Sequence, residues 1–99
     1  MNKIITFGGT ITFDDLSTLT GSDIALITEE LKEDLLQASL PPEQIIDIGW
    51  HPEFSENGAF RISLISDKNW KSPIYSESAK TWAELEKALD HALNLIKTA

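Results

Sequence analysis

Residues 44–65, QIIDIGWHPEFSENGAFRISLI, decide the fold. Ile46, Ile48 and Trp50 alternate with Ile45, Asp47 and Gly49, the period-two signature of a strand, here over 44–51. Phe60, Ile62 and Leu64 repeat the pattern over 59–65. Between them, His51 to Gly58 contains Pro52 and an Asn57-Gly58 step, both turn formers. The two strands therefore read as an antiparallel hairpin with a long loop.

Working outward, Pro73-Ile74-Tyr75 marks a further short strand. It belongs at a sheet edge, because proline cannot donate to a ladder. Thr81-Trp82-Ala83-Glu84 matches a capping box, and Trp82, Leu85, Leu89, Ala92, Leu93 and Ile96 follow on one helical face. At the other end Ile5, Phe7, Ile11 and Phe13 occupy alternate positions around Gly8-Gly9. That predicts a hairpin with Phe7 opposite Ile11 and Ile5 opposite Phe13; one bent strand is the alternative. Ser22 or Asp23 can cap a helix running to about Ala38, with Ile24, Ile27, Leu31 and Leu35 in one stripe. Leu40-Pro41-Pro42 stops it. The predicted fold class is α+β: an antiparallel sheet with two helices packed against it, one two-layer domain over residues 1–99.

The 41% apolar fraction suits a globular chain. With no cysteine there is no disulfide, thiolate nucleophile or Cys-ligated zinc. The longest apolar run is four residues, Ile24 to Ile27, so no bilayer span is expected. The first nine residues lack a seven-residue apolar core, so no secretory leader is expected and a cytoplasmic location follows. The formal net charge is −8 and is unevenly placed. Residues 1–56 hold eleven acids and two bases, whereas residues 57–99 hold five acids and six bases. Such a field repels nucleic acid and anionic membranes and favours encounter with a basic protein.

Catalytic signals are sparse. His51, Glu53 and Arg61 are the parts of a metal-free hydrolase or ribonuclease, which needs an acid, a base and a cation for the phosphate. Their spacing matches no motif, and the acidic surround opposes an RNA substrate. His51 with Asp47 or Glu53 lacks a second imidazole at metal-ligand spacing. Gly8-Gly9 is too short to cradle a phosphate. No enzyme activity, metal or cofactor is expected. Among the tryptophans, Trp50 and Trp82 read as core, whereas Trp70, in a polar connection, reads equally as core or as a ring that anchors a partner.

Gly49-Trp50-His51-Pro52-Glu53-Phe54, then Gly58, Phe60-Arg61-Ile62, Asn69-Trp70, Pro73 and Thr81-Trp82-Ala83-Glu84-Leu85 carry a resemblance over residues 44–89. As an ensemble they resemble the small acidic immunity proteins of bacterial contact-dependent growth inhibition systems, the type that neutralises ribonuclease toxins. The resemblance implies a cytoplasmic, non-catalytic antitoxin that binds its cognate basic toxin domain one to one and blocks its active site. Two surfaces compete for that role. One is the outer face of the first predicted helix, with Glu29, Glu30 and Glu33 around Leu26 and Leu36. The other is the hairpin turn and nearby edge, with His51, Glu53, Phe54 and Glu56, to which Trp70 is a candidate addition. A hydrolase using His51, Glu53 and Arg61, or a structural subunit, is the alternative function. Self-association is left open.

Overall fold

The computed structural model describes residues 2–98. Five antiparallel strands, β1 (Thr10–Asp14), β2 (Leu36–Leu40), β3 (Gln44–His51), β4 (Ala59–Ser66) and β5 (Tyr75–Ala79), form one sheet in chain order. A short helix, α1 (Asn2–Thr6), precedes the sheet, and a long one, α2 (Trp82–Thr98), follows it. The α+β expectation holds.

The β3–β4 hairpin runs from Gln44 opposite Ser66 to His51 opposite Ala59. This register places Ile46, Ile48 and Trp50 beside Leu64, Ile62 and Phe60 on one face, and all six are buried. Leu36, Ala38 and Leu40 of β2 extend that face, and Leu85, Ala88, Leu89, Ala92 and Leu93 of α2 cover it. Trp50 meets Phe60 edge-on at 4.9 Å between centroids, and Phe60 lies 4.9 Å from Trp82. The aromatic line thus joins sheet to helix. The start of α2 is capped by Thr81, whose Oγ1 accepts from the Glu84 N–H at 3.1 Å. The Glu84 carboxylate reaches back to the Lys80 N–H at 2.9 Å, one residue before the position of a standard capping box. β5 is an edge strand, but it runs over Tyr75–Ala79, so the expected strand at Pro73-Ile74-Tyr75 is shifted and Pro73 lies in the connection before it.

Two expected elements are different. The hairpin over residues 5–13 is absent: residues 2–6 are helical and only 10–14 are strand. Gly8-Gly9 ends a helix instead of turning a hairpin. The Gly9 N–H reaches the Ile4 carbonyl and the Gly8 N–H the Ile5 carbonyl, both at 2.9 Å, with Gly8 at φ +86°. That is the Schellman arrangement, which favours glycine at the left-handed position. Ile4 is fully buried, and Lys3 bridges Glu86 and Asp90 of α2 at 3.0 and 2.8 Å.

The helix predicted from Ser22 or Asp23 to Ala38 is also absent, so only one of the two expected packed helices forms where expected. Asp23 does cap, accepting from the Ala25 N–H at 3.0 Å, but it caps a single 3₁₀ turn over Ile24–Leu26. A second turn spans Thr28–Glu30, and the chain is extended by Leu31. Ile27, Leu31 and Leu35 still face inward, with Ile24 partly buried against them. Leu36, Ala38 and Leu40 follow period two and become β2, which gives β3 its second neighbour. A non-local ladder outweighs the local helical pattern here.

Entry into β2 is bulged: the Leu35 N–H bonds the Ile48 carbonyl at 2.9 Å and the Trp50 N–H bonds the Lys32 carbonyl at 2.8 Å. Glu33 and Asp34 loop out between them, over Gly49. A Cβ on Gly49 would lie 1.7 Å from the Glu33 carbonyl oxygen. Gly→Ala in a strand ordinarily stabilises by reducing unfolded-state entropy. Gly49→Ala should instead destabilise by about 2–3 kcal/mol, as forced overpacking does. The urea midpoint measures this, and an unchanged or raised midpoint would contradict the bulge.

Candidate functional site

The candidate site grows from the turn after β3. Trp50 is 2% exposed, and its indole Nε1–H donates to the Ser55 carbonyl at 2.8 Å. The Gly58 N–H donates to the same carbonyl at 3.1 Å. Gly58 is required sterically, since a Cβ there would lie 2.4 Å from the indole nitrogen. Phe54 donates its backbone N–H to the Leu31 carbonyl at 2.8 Å and sits at φ +60°. This bond straps the turn to the segment that carries the two 3₁₀ turns. The Phe54 side chain, held there, is 50% exposed.

Two acidic stretches far apart in sequence therefore meet. An open hollow of about 630 Å³ is lined by Leu26, Ile27, Glu29, Glu30, Phe54 and Glu56, among others. A second, of about 420 Å³, shares Glu29, Glu30 and Phe54 and adds Asp15, Leu19 and Lys32. Leu26 is 82% exposed at the rim, an uncommon setting for a leucine beside a second exposed apolar side chain. Lys32 is engaged with Asp15 at 2.8 Å, and this hydrogen-bonded pair holds its pKa above the ordinary lysine value. Glu53 adds its charge near Lys32. Glu29, Glu30, Glu53 and Glu56 have no ion pair among the described residues.

The two competing surfaces are thus one surface, with corrections. Glu29, Glu30, Phe54 and Glu56 come together; Glu53 lines neither hollow, but its charge acts on Lys32, which lines the second. Leu36 does not join them: it is fully buried in β2, because the helix that would have exposed it does not form. Glu33 projects from the bulge over Gly49 and lines neither hollow. Without a helix, Glu29 and Glu33 share no helical face. Trp70 is 48% exposed in the β4–β5 connection, at the opposite end of the sheet from Phe54. Asp15 and Leu19 belong to the site without a local signal in the sequence to place them there.

His51 and Arg61 lie on the sheet face away from α2, at register positions next to one another, with Glu53 in the turn beyond. No hydrogen bond or ion pair joins any two of the three among the described residues. Asp47 shares their face. Burial raises its pKa above the ordinary 3.8, and the nearby Asp34 charge adds to this; a 3.3 Å hydrogen bond from Gln37 and the His51 ring oppose it. Among the described residues, no group of three His, Asp or Glu side chains is arranged to hold a metal ion, and no helix is long and apolar enough to cross a membrane. No family model, curated protein or solved structure matches the chain.

Trp50→Phe keeps most of the ring volume and removes the N–H. The partly buried Ser55 carbonyl then loses one of its two donors, and stability should fall by about 1–2 kcal/mol. The Phe54 and Gly58 amides should exchange faster than those at the centre of β4; an unchanged Phe54 amide would show that the indole does not hold the turn. Asp47 provides a pH test. A carboxyl with a raised folded pKa favours the fold in its neutral form, a contribution present below 3.8 and lost as pH rises through the raised value. Asp47→Asn should therefore raise the urea midpoint at pH 7 and flatten its decline above pH 3.8; a lowered midpoint at pH 7 would contradict this.

Proposed function

We propose that the chain is a non-catalytic protein-binding domain whose partner is basic. More particularly, we take it to be an immunity protein of a contact-dependent growth inhibition system, acting in the cytoplasm on a ribonuclease toxin domain. The observation that carries the reading is the convergence of residues 24–31 and 52–56 on one acidic surface around exposed Leu26 and Phe54, where the single lysine is already paired. Nucleases are basic because they bind phosphates. Carboxylates set where phosphates would lie supply steering and charge-assisted hydrogen bonds, while apolar anchors slow dissociation and set specificity. The resemblance over residues 44–89 supports the same class of function.

The test is protection of cells challenged with ribonuclease toxin domains of such systems. Glu29→Lys/Glu30→Lys and Glu53→Lys/Glu56→Lys should each abolish protection while leaving the fold intact, since exposed charges contribute little to stability. At a basic interface each reversal should cost on the order of several kcal/mol of affinity. Glu33→Lys and Trp70→Ala should protect as wild type does. The association rate should fall from 50 to 500 mM salt, where the screening length is a few ångströms. Full protection by both folded double variants would overturn the reading. So would RNA cleavage by the purified chain that is lost in His51→Ala.

A further inference from the structure

We infer that the acidic face selects arginine over lysine, seating guanidinium groups against the ring of Phe54. The inference rests on the reading of this face as a docking surface for a basic protein, and it commits to one occupant: an arginine-bearing segment of that partner.

Phe54 is the common wall of the two hollows, and Glu29 and Glu30 line both. A cation entering either hollow thus meets Phe54 and carboxylates that lack an ion pair among the described residues. Lysine presents a compact, strongly hydrated ammonium, for which carboxylates alone suffice. Arginine presents a planar, weakly hydrated guanidinium that stacks on an aromatic face while its edges donate in pairs to carboxylates. Its methylene stem also needs apolar surface. Leu26 and Ala25, both exposed, supply that surface along the larger hollow.

The backbone that carries the ring is positioned in advance. The backbone N–H of Phe54 is bonded to Leu31, and the next carbonyl, that of Ser55, is held by the Trp50 indole. Little further ordering is then required on binding, which is the source of affinity in a preorganised anchor. An acidic surface meant only for solubility needs neither an exposed aromatic on a strapped turn nor an adjacent exposed leucine.

The experiment needs no identified partner. Three N-acetylated, C-amidated peptides, Gly-Arg-Gly-Arg, Gly-Lys-Gly-Lys and Gly-Leu-Gly-Leu, are titrated into the full chain and followed by amide chemical shifts. The arginine peptide should bind roughly two- to fivefold more tightly than the lysine peptide. Its shifts should cluster at residues 25–30 and 53–56. Phe54→Leu, which keeps apolar volume without the π-face, should reduce arginine binding to the lysine level; its own amide spectrum reports that it folds. Glu29→Gln/Glu30→Gln should weaken both basic peptides. Equal binding of arginine and lysine, insensitive to Phe54→Leu, would overturn the inference in favour of charge alone. Tightest binding by the leucine peptide, or shifts centred elsewhere, would overturn it too. If the arginine preference holds but no toxin is neutralised, the function proposed above fails and the site chemistry stands. Neutralisation without an arginine preference gives the reverse.

Discussion

Trp50 is the residue on which the other features depend. Its ring closes the core between sheet and helix through Phe60 and, beyond it, Trp82. Its main-chain N–H fixes the incoming segment at Lys32, and its indole N–H fixes the outgoing turn at Ser55. Burial of a large aromatic side chain, 150–250 Å² at about 25 cal/mol/Å², contributes about 4–6 kcal/mol as an upper estimate. The two hydrogen bonds convert that buried mass into a directional constraint. Gly49 and Gly58, on either side, are the openings it needs: one admits the Glu33 carbonyl and the other the indole itself. The strapped turn, exposed Phe54 and merged acidic surface are consequences of how this residue is held.

The parts of the fold readable from sequence are those whose signals are local and consistent. Alternation in β3 and β4, turn residues between them and the Thr81 cap of α2 each point one way, and the structure agrees. The stretch from Asp23 to Leu40 carries two patterns at once. Ile24, Ile27, Leu31 and Leu35 fit a helical stripe equally well as two 3₁₀ turns followed by extended chain. Leu36, Ala38 and Leu40 already alternate, but the alternation is brief and adjoins the stripe. Only the exposed ladder of β3, a feature distant in sequence, selects strand for them. Gly8-Gly9 shows the same ambiguity on a smaller scale, since a pair of glycines serves a hairpin or a helix end.

The site was legible in composition but not in arrangement. Glu29, Glu30, Glu53, Phe54 and Glu56 stand out as acids beside apolar residues in polar stretches. Their meeting depends on a bond between Phe54 and Leu31, which no spacing rule foretells. The helical stripe that separates the two surfaces also sets Leu36 outside and Glu33 on the binding face, and the strand at Leu36–Leu40 removes both. Trp70 stands out by type, yet the hairpin's register carries it to the far end of the sheet. Single residues reveal chemistry, while topology decides which of them act together.

Solution NMR of the free chain tests the strap most directly, by combining backbone carbon shifts with amide exchange. The expected result is strand shifts over Leu36–Leu40, no continuous helix between Asp23 and Ala38, and slow exchange of the Trp50 and Phe54 amides bonded to Lys32 and Leu31. An unbroken run of helical shifts from Asp23 to Ala38, with the Phe54 amide exchanging as fast as an unprotected one, would contradict it and separate the two acidic stretches again.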